Sequence, residues 1–186
     1  IKTIKHQANW KFLVENVLEC YHCQSVHSES LGDIGLGLGK PYNHITYNGH
    51  DSIEYPVIEE NKKKKTKGLK LFENRDLKHQ SYKHFYIAPN LFISSTEGLF
   101  FYIGRLDPIS ETETNLQVMF RISKINNEVN KNIIKHFYEV SLINSINVIK
   151  EDQFILENQQ MNMKFVPNKI AIFTKEEPRI LNFVST

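Results

Sequence analysis

The sequence predicts a single α+β domain, on three observations: an amphipathic helical stripe near its start, a middle of short alternating runs divided by turn signals, and a second helical pattern toward its end. Over residues 9 to about 26, Trp10, Leu13, Val14, Val17, Leu18 and Tyr21 recur at steps of three and four and form one apolar stripe. Gly32, Gly35, Gly37 and Gly39 follow, ahead of Lys40-Pro41. A glycine run this dense cannot hold a helix and reads as a loop. It lacks the GxxxxGK[ST] ending of a phosphate cradle, which argues against a nucleotide site.

Residues 42–57 read as one or two short strands, because Ile45, Tyr47, Ile53 and Tyr55 alternate with polar neighbours. The charge run 61–67 (NKKKKTK) reads as a solvated loop or hairpin tip. Strand-like runs then cover 84–87, 91–95, 99–105 and 115–123, with turn signals at Pro89-Asn90, Glu97-Gly98 and Asp107-Pro108. This spacing predicts an antiparallel meander. After Lys124 a helical period returns in Ile134, Phe137, Val140 and Ile143 and runs on through Ile146, Ile149 and Leu156.

Composition bounds the function. The 186 residues suit one domain at a prior of ~150 per domain. The 40% apolar and 24% charged residues are an ordinary globular mixture, not that of a disordered chain. A net charge of +2 from 23 basic and 21 acidic residues is too balanced for a dedicated nucleic-acid binder. No apolar run approaches the ~20 residues of a membrane span. The opening Ile1-Lys2-Thr3-Ile4-Lys5 lacks an apolar signal core, and a start without an initiator methionine suits a piece of a longer chain. Two cysteines make no disulfide framework, which predicts a reducing, cytoplasmic setting.

Chemistry concentrates at residues 16–27 (NVLECYHCQSVH), where Glu19, His22, His27, Cys20 and Cys23 crowd together. A zinc site on Cys20 and Cys23 lacks the second cysteine pair. A Rieske cluster lacks the Cys-x-x-His half of its signature, although Cys20-Tyr21-His22 mimics the other half. A mononuclear iron site needs only two histidines and one carboxylate. On an ideal helix His22 and His27 diverge by about 140° beyond a full turn. They converge if the helix ends or bulges near Gln24-Ser25; otherwise both are ordinary surface or core histidines. On the C-terminal helix, Leu142, Ile146, Ile149 and Leu156 define a buried stripe that Asp152 continues, while Glu151 lies off it. A carboxylate on such a stripe calls for a metal, a buried cation or more exposure than the pattern shows.

The run NWKFLVENVLECYHCQSVH resembles the signature that opens the catalytic domain of Rieske-type ring-hydroxylating oxygenase α subunits. The segment Glu151-Asp152-Gln153-Phe154-Ile155-Leu156-Glu157, with Gln160 eight residues after the aspartate, is similar to that family's carboxylate-ligand segment, and Tyr86-Ile87-Ala88-Pro89-Asn90-Leu91 to its strand-turn element. The resemblance implies a helix-grip fold of the Bet v1/START type, an antiparallel sheet wrapped around a long C-terminal helix, over residues 1–186. It implies mononuclear Fe(II) on His22, His27 and Asp152, with Asn16 supporting them from the same helix face. Glu19 takes the place of the acidic bridge to a Rieske histidine on a neighbouring subunit, while Cys20 and Cys23 match no ligand position and read as packing residues. A glutamate at the bridge resembles the subgroup that oxidises quaternary ammonium substrates such as carnitine, glycine betaine or proline betaine. The implied partners are dioxygen, a small-molecule substrate, a [2Fe-2S] Rieske cluster on another domain or chain, NAD(P)H through a separate reductase, and further copies in a homo-oligomer, expected as a trimer. Three alternatives stay open: a non-catalytic helix-grip module for a hydrophobic ligand, an oxygenase remnant, and a zinc hydrolase with Glu19 as base.

Overall fold

The computed structural model describes residues 1–28, 30, 43–56, 72–125, 131–165, 172–175 and 177–186. The glycine run 32–39 and the lysine run 61–67 lie outside the described residues. Among the described residues the strands are β1 (Lys2–His6), β2 (Asn43–Tyr47), β3 (His50–Pro56), β4 (Ser81–Ile87), β5 (Leu91–Thr96), β6 (Phe100–Ser110) and β7 (Glu113–Ile122). They form one antiparallel sheet in the order β1-β7-β6-β5-β4-β3-β2. From β2 to β7 each strand pairs with its successor, which is the meander the spacing predicts. β1, which the sequence pattern did not separate from its surroundings, closes the far edge by pairing Lys2 with Val118 through His6 with Thr114.

Period-two patterning sets the inner face: Thr114, Leu116, Val118 and Phe120 of β7 are all buried. At Glu97-Gly98 both residues have positive φ (53° and 70°), and a Cβ on Gly98 would stand 2.4 Å from the Leu77 carbonyl oxygen, so only glycine fits. The turn expected at Asp107-Pro108 does not form there. β6 runs on to Ser110, because the Asp107 carboxylate is held by Arg105 Nε at 2.9 Å and Gln117 Nε2 at 2.6 Å. Pro108 sits at a register shift, where the ladder demands no donor from it.

Against the inner face lie α1 (Trp10–Leu18), α2 (Cys23–Val26), α3 (Lys131–Met163) and α4 (Pro178–Val184). The 33 residues of α3 span about 50 Å at 1.5 Å per residue. One core joins Leu13, Val14 and Leu18 of α1, Tyr86, Phe92 and Leu106 of the sheet, Ile146, Ile149 and Leu156 of α3, and Ile180 of α4. The Ile146–Ile149–Leu156 stripe is buried as the spacing predicts, whereas Val140 and Ile143 face outward. An antiparallel sheet gripping a long helix is the expected α+β, helix-grip architecture.

The single helix expected over 9–26 is interrupted, and the break falls earlier than Gln24-Ser25. Asn9 caps the start, its side chain accepting from Lys11 N–H at 2.9 Å. Glu19 ends α1 in an extended conformation (φ −112°, ψ 158°). Its carboxylate turns forward to accept the His22 backbone N–H at 3.3 Å, and so caps the next turn rather than continuing the helix. The chain then winds one turn of α2, with His22 at its start and His27 at its end.

Candidate metal centre

That break brings the two histidines together. With α2 only one turn long, the His22 and His27 rings stand edge-on, 5.1 Å between centroids, on the wall of a cavity of about 530 Å³. Asp152 reaches them from the middle of α3. Its Oδ1 is 3.0 Å from His27 Nε2 and 3.6 Å from His22 Nε2. One ligand atom from each of the three residues lies within 4.8 Å of the others.

Each histidine is held from behind by a carboxylate. His22 Nδ1 meets Glu19 Oε1 in a short contact, and His27 Nδ1 lies 2.7 Å from Glu151 Oε2. These partners assign the ring proton to Nδ1 and leave the Nε2 lone pairs facing Asp152. Glu151, off the buried stripe, therefore reaches the opposite edge of the ring that Asp152 faces, and Ser30 Oγ donates to the same Glu151 oxygen at 2.7 Å. Burial pulls both histidine pKa values down. The hydrogen bond and charge of Glu19, with the charge of Asp152, outweigh it at His22, and Asp152 followed by Glu151 at His27, so both shift upward.

Whether these residues suit a metal is decided by Asp152. Its Oδ1 is buried and has no hydrogen-bond partner of acceptable geometry. When both rings are neutral with Nδ1–H, two nitrogen lone pairs and a carboxylate oxygen converge with no donor between them. Such a cluster is costly unless a cation fills it, and two imidazoles with one carboxylate suit iron. The donor set fits the metal implied by the resemblance.

Asn16 lines the same cavity, but the partners on the histidines' outer nitrogens are Glu19 and Glu151. Cys20 and Cys23 are free thiols on the cavity wall, Sγ to Sγ 3.0 Å. Among the aromatic side chains of the sheet, Tyr82, Phe100 and Tyr102 line the cavity. Phe92 belongs to the core and Phe85 is partly exposed. A Cβ on Gly104 would stand 2.5 Å from the Tyr102 hydroxyl, so that glycine makes room for the tyrosine.

The sequence reading did not find the buried pair that pins α4 against the cavity. Arg179 Nε bonds Asp51 Oδ1 at close range, and Arg179 Nη2 donates to His84 Nδ1 at 2.8 Å. His44 Nε2 lies 2.6 Å from the second Asp51 oxygen. A charged arginine on a short apolar helix, with an aspartate inside a strand, was the available signal. Tyr21 adds a latch on the outside, its hydroxyl donating to Glu177 at 2.9 Å.

The fold and this site define a class: a helix-grip domain carrying a two-histidine, one-carboxylate cluster at the open flank of its long helix. The family described as ring hydroxylating alpha subunit (catalytic domain) matches residues 2–185, and the chain belongs to it. Among solved structures it is similar to the quaternary ammonium Rieske monooxygenase CntA in complex with an inhibitor, with 17% identity and a TM-score of 0.64 over 98% of this chain and 46% of that one. The same enzyme in complex with L-carnitine aligns at 19% identity and a TM-score of 0.63, over 98% and 45% of the two chains. Dicamba monooxygenase bound to dicamba aligns at 12% identity and a TM-score of 0.61, over 99% and 55%. The chain thus spans about half the length of these proteins. No curated protein sequence matches it. No helix among the described residues is long and apolar enough to cross a membrane.

Proposed function

We propose that this chain is the catalytic domain of a Rieske-type oxygenase, with Fe(II) held by His22, His27 and Asp152. The observation that carries the reading is the buried, unpartnered Asp152 Oδ1 facing two histidine nitrogens. Bound iron supplies dioxygen activation for hydroxylation of a substrate in the adjoining cavity. The protein's own groups do the rest. Glu19 and Glu151 hold the imidazoles in one tautomer and orientation, as outer carboxylates do behind metal-bound histidines. The cavity wall beside the cluster is largely apolar.

Electrons come, in this proposal, from a [2Fe-2S] Rieske cluster on another domain or chain, fed by NAD(P)H through a separate reductase, and Glu19 bridges that cluster's histidine to His22. The substrate class is an N-methyl quaternary ammonium compound or an aromatic one. The tyrosine and phenylalanine faces of Tyr82, Phe100 and Tyr102 suit either, a cation by its attraction to aromatic faces. The assembly is a homo-oligomer, expected as a trimer, in a reducing cytoplasmic setting. Glu19 is committed to the His22 ring, which disfavours the zinc-hydrolase reading, where it would have to be free as a base.

The test is anaerobic metal reconstitution of the chain followed by metal analysis. Iron at about one per chain, lost in both His22→Ala and His27→Ala while the circular dichroism stays native, is the expected result. No iron uptake would point to the non-catalytic module, and preferential zinc would revive the hydrolase.

A further inference from the structure

Cys20 and Cys23 are the chain's two cysteines, and the iron reading gives neither a task. They span a tight turn in which the Cys23 N–H donates to the Cys20 carbonyl at 3.1 Å. Their sulfurs are 3.0 Å apart. That distance lies between those of two chemistries. Two thiolates on a tetrahedral metal with bonds of ~2.3 Å stand roughly 3.7 Å apart. A disulfide needs ~2.05 Å, so the observed pair is about 1 Å of side-chain motion from bonding, and a zinc on these two sulfurs would lack the second cysteine pair of a structural site. Both residues line the cavity, Cys20 half-buried and Cys23 buried, so a small oxidant that enters the cavity reaches them.

We propose that Cys20 and Cys23 form a reversible dithiol–disulfide site in the wall of the metal cavity, oxidised by hydrogen peroxide, and that closing the bond weakens metal binding. In the first step the more accessible Cys20 sulfur attacks one peroxide oxygen; the O–O bond breaks, giving a Cys20 sulfenic acid and water. In the second the Cys23 sulfur displaces that hydroxyl, which leaves as water with the thiol proton. Two thiols are oxidised by two electrons and one peroxide is reduced to two waters.

The coupling follows from the chain path. Cys23 follows His22, and its Sγ is 4.0 Å from His22 Nε2. The N–H groups of Ser25 and Val26 both donate to the His22 carbonyl at 2.9 Å, which ties the histidine to the turn that the new bond would draw in. The coupling rests on the metal reading above; the thiol chemistry does not.

The experiment treats the reduced, metal-free full chain with stoichiometric peroxide, removes the excess with catalase, and reads intact mass and free thiols. The expected result is loss of both thiols and of about 2 mass units, reversed by dithiothreitol. Cys20→Ser and Cys23→Ser should each show no such loss and instead gain oxygen or dimerise. Wild-type protein that keeps both thiols, or that gains oxygen as the single variants do, overturns the site. Cobalt(II) titration, read by its visible spectrum, then tests the coupling: oxidised protein should bind about tenfold more weakly than reduced, a typical effect of disturbing a ligand's support, and recover on reduction. Equal affinity in the two forms overturns the coupling alone. Absence of cobalt binding in the reduced form overturns the metal reading and the coupling together, and leaves the thiol site to be judged by mass.

Discussion

Two neighbouring carboxylates on α3 divide the work around one imidazole. Asp152 meets His27 Nε2 and Glu151 meets its Nδ1, because successive residues on a helix point about 100° apart and a ring has two edges. Asp152→Ala should therefore abolish stoichiometric iron while the fold persists, and Glu151→Ala should weaken binding ~10–100-fold without abolishing it. Anaerobic iron titration with thermal melts checks both; full iron retention by Asp152→Ala would make Glu151 the next ligand candidate. Glu19→Gln keeps an acceptor for the His22 ring and should bind iron within about tenfold of wild type, yet lose turnover driven by a Rieske partner. Unchanged coupled turnover would rule out a required bridge. A separate pH effect belongs to His84. Burial first, and the adjacent Arg179 guanidinium second, hold its pKa well below the usual range. The unfolded chain takes up that proton near pH 6.5 and the native protein does not, so the neutral imidazole's contribution is fully present above about pH 6.5 and falls away toward lower pH, at up to ~1.4 kcal/mol per unit. Equilibrium unfolding between pH 5 and 8 should show a shallower acid loss in His84→Gln than in wild type.

At the scale of elements, α4 is too short to be stable alone and depends on its dockings. Its buried Arg179–Asp51 pair has both side chains nearly inaccessible (5% and 1% exposed), so Arg179→Met should destabilise by ~3 kcal/mol by removing the buried cation from Asp51 Oδ1, with His44 left as the carboxylate's remaining partner. Glu177→Ala, which removes the exposed Tyr21 contact, should cost under about 1 kcal/mol; urea unfolding compares the two. The same element shows where sequence reading stopped. Strands β2 to β7 and the buried face of α3 were legible because alternation and the 3.6-residue period report burial directly. β1 carries Lys2 and Lys5 among its five residues and draws its order from pairing with β7, a non-local cause no local pattern reports. The interruption at Glu19 was equally hidden, since neither glycine nor proline marks it and the carboxylate turns forward only because His22 is there to receive it. His22, His27 and Asp152 were nameable from the sequence. Glu151 was not, because its role depends on which edge of the His27 ring faces α3.

At the scale of the whole molecule, the fold places a cavity, a candidate metal-ligand cluster and Glu19 behind the His22 ring within one domain, and the electron supply is what the proposal assigns elsewhere. Inserting oxygen from dioxygen into a substrate C–H bond needs two electrons from outside. The proposed iron contributes at most about one, and two cysteines three residues apart cannot supply the paired Cys-x-His and Cys-x-x-His segments of a Rieske cluster. Glu19 contacts His22 and its side chain keeps 10% of its surface exposed, and in the proposal a second domain's histidine meets that remainder. Such a bridge between subunits closes in a cyclic assembly, and a trimer is the ring that the family resemblance implies. Iron-loaded chain given NADH, reductase, dioxygen and a candidate betaine should therefore consume substrate over many turnovers only when a separately made Rieske domain is added. The assay reads demethylated amine by mass spectrometry alongside oxygen uptake. Sustained turnover without the Rieske domain would sink the division of labour. Turnover that requires it, and disappears in Glu19→Gln at unchanged iron content, would tie the electron path to the one carboxylate that the chain turns out of its first helix.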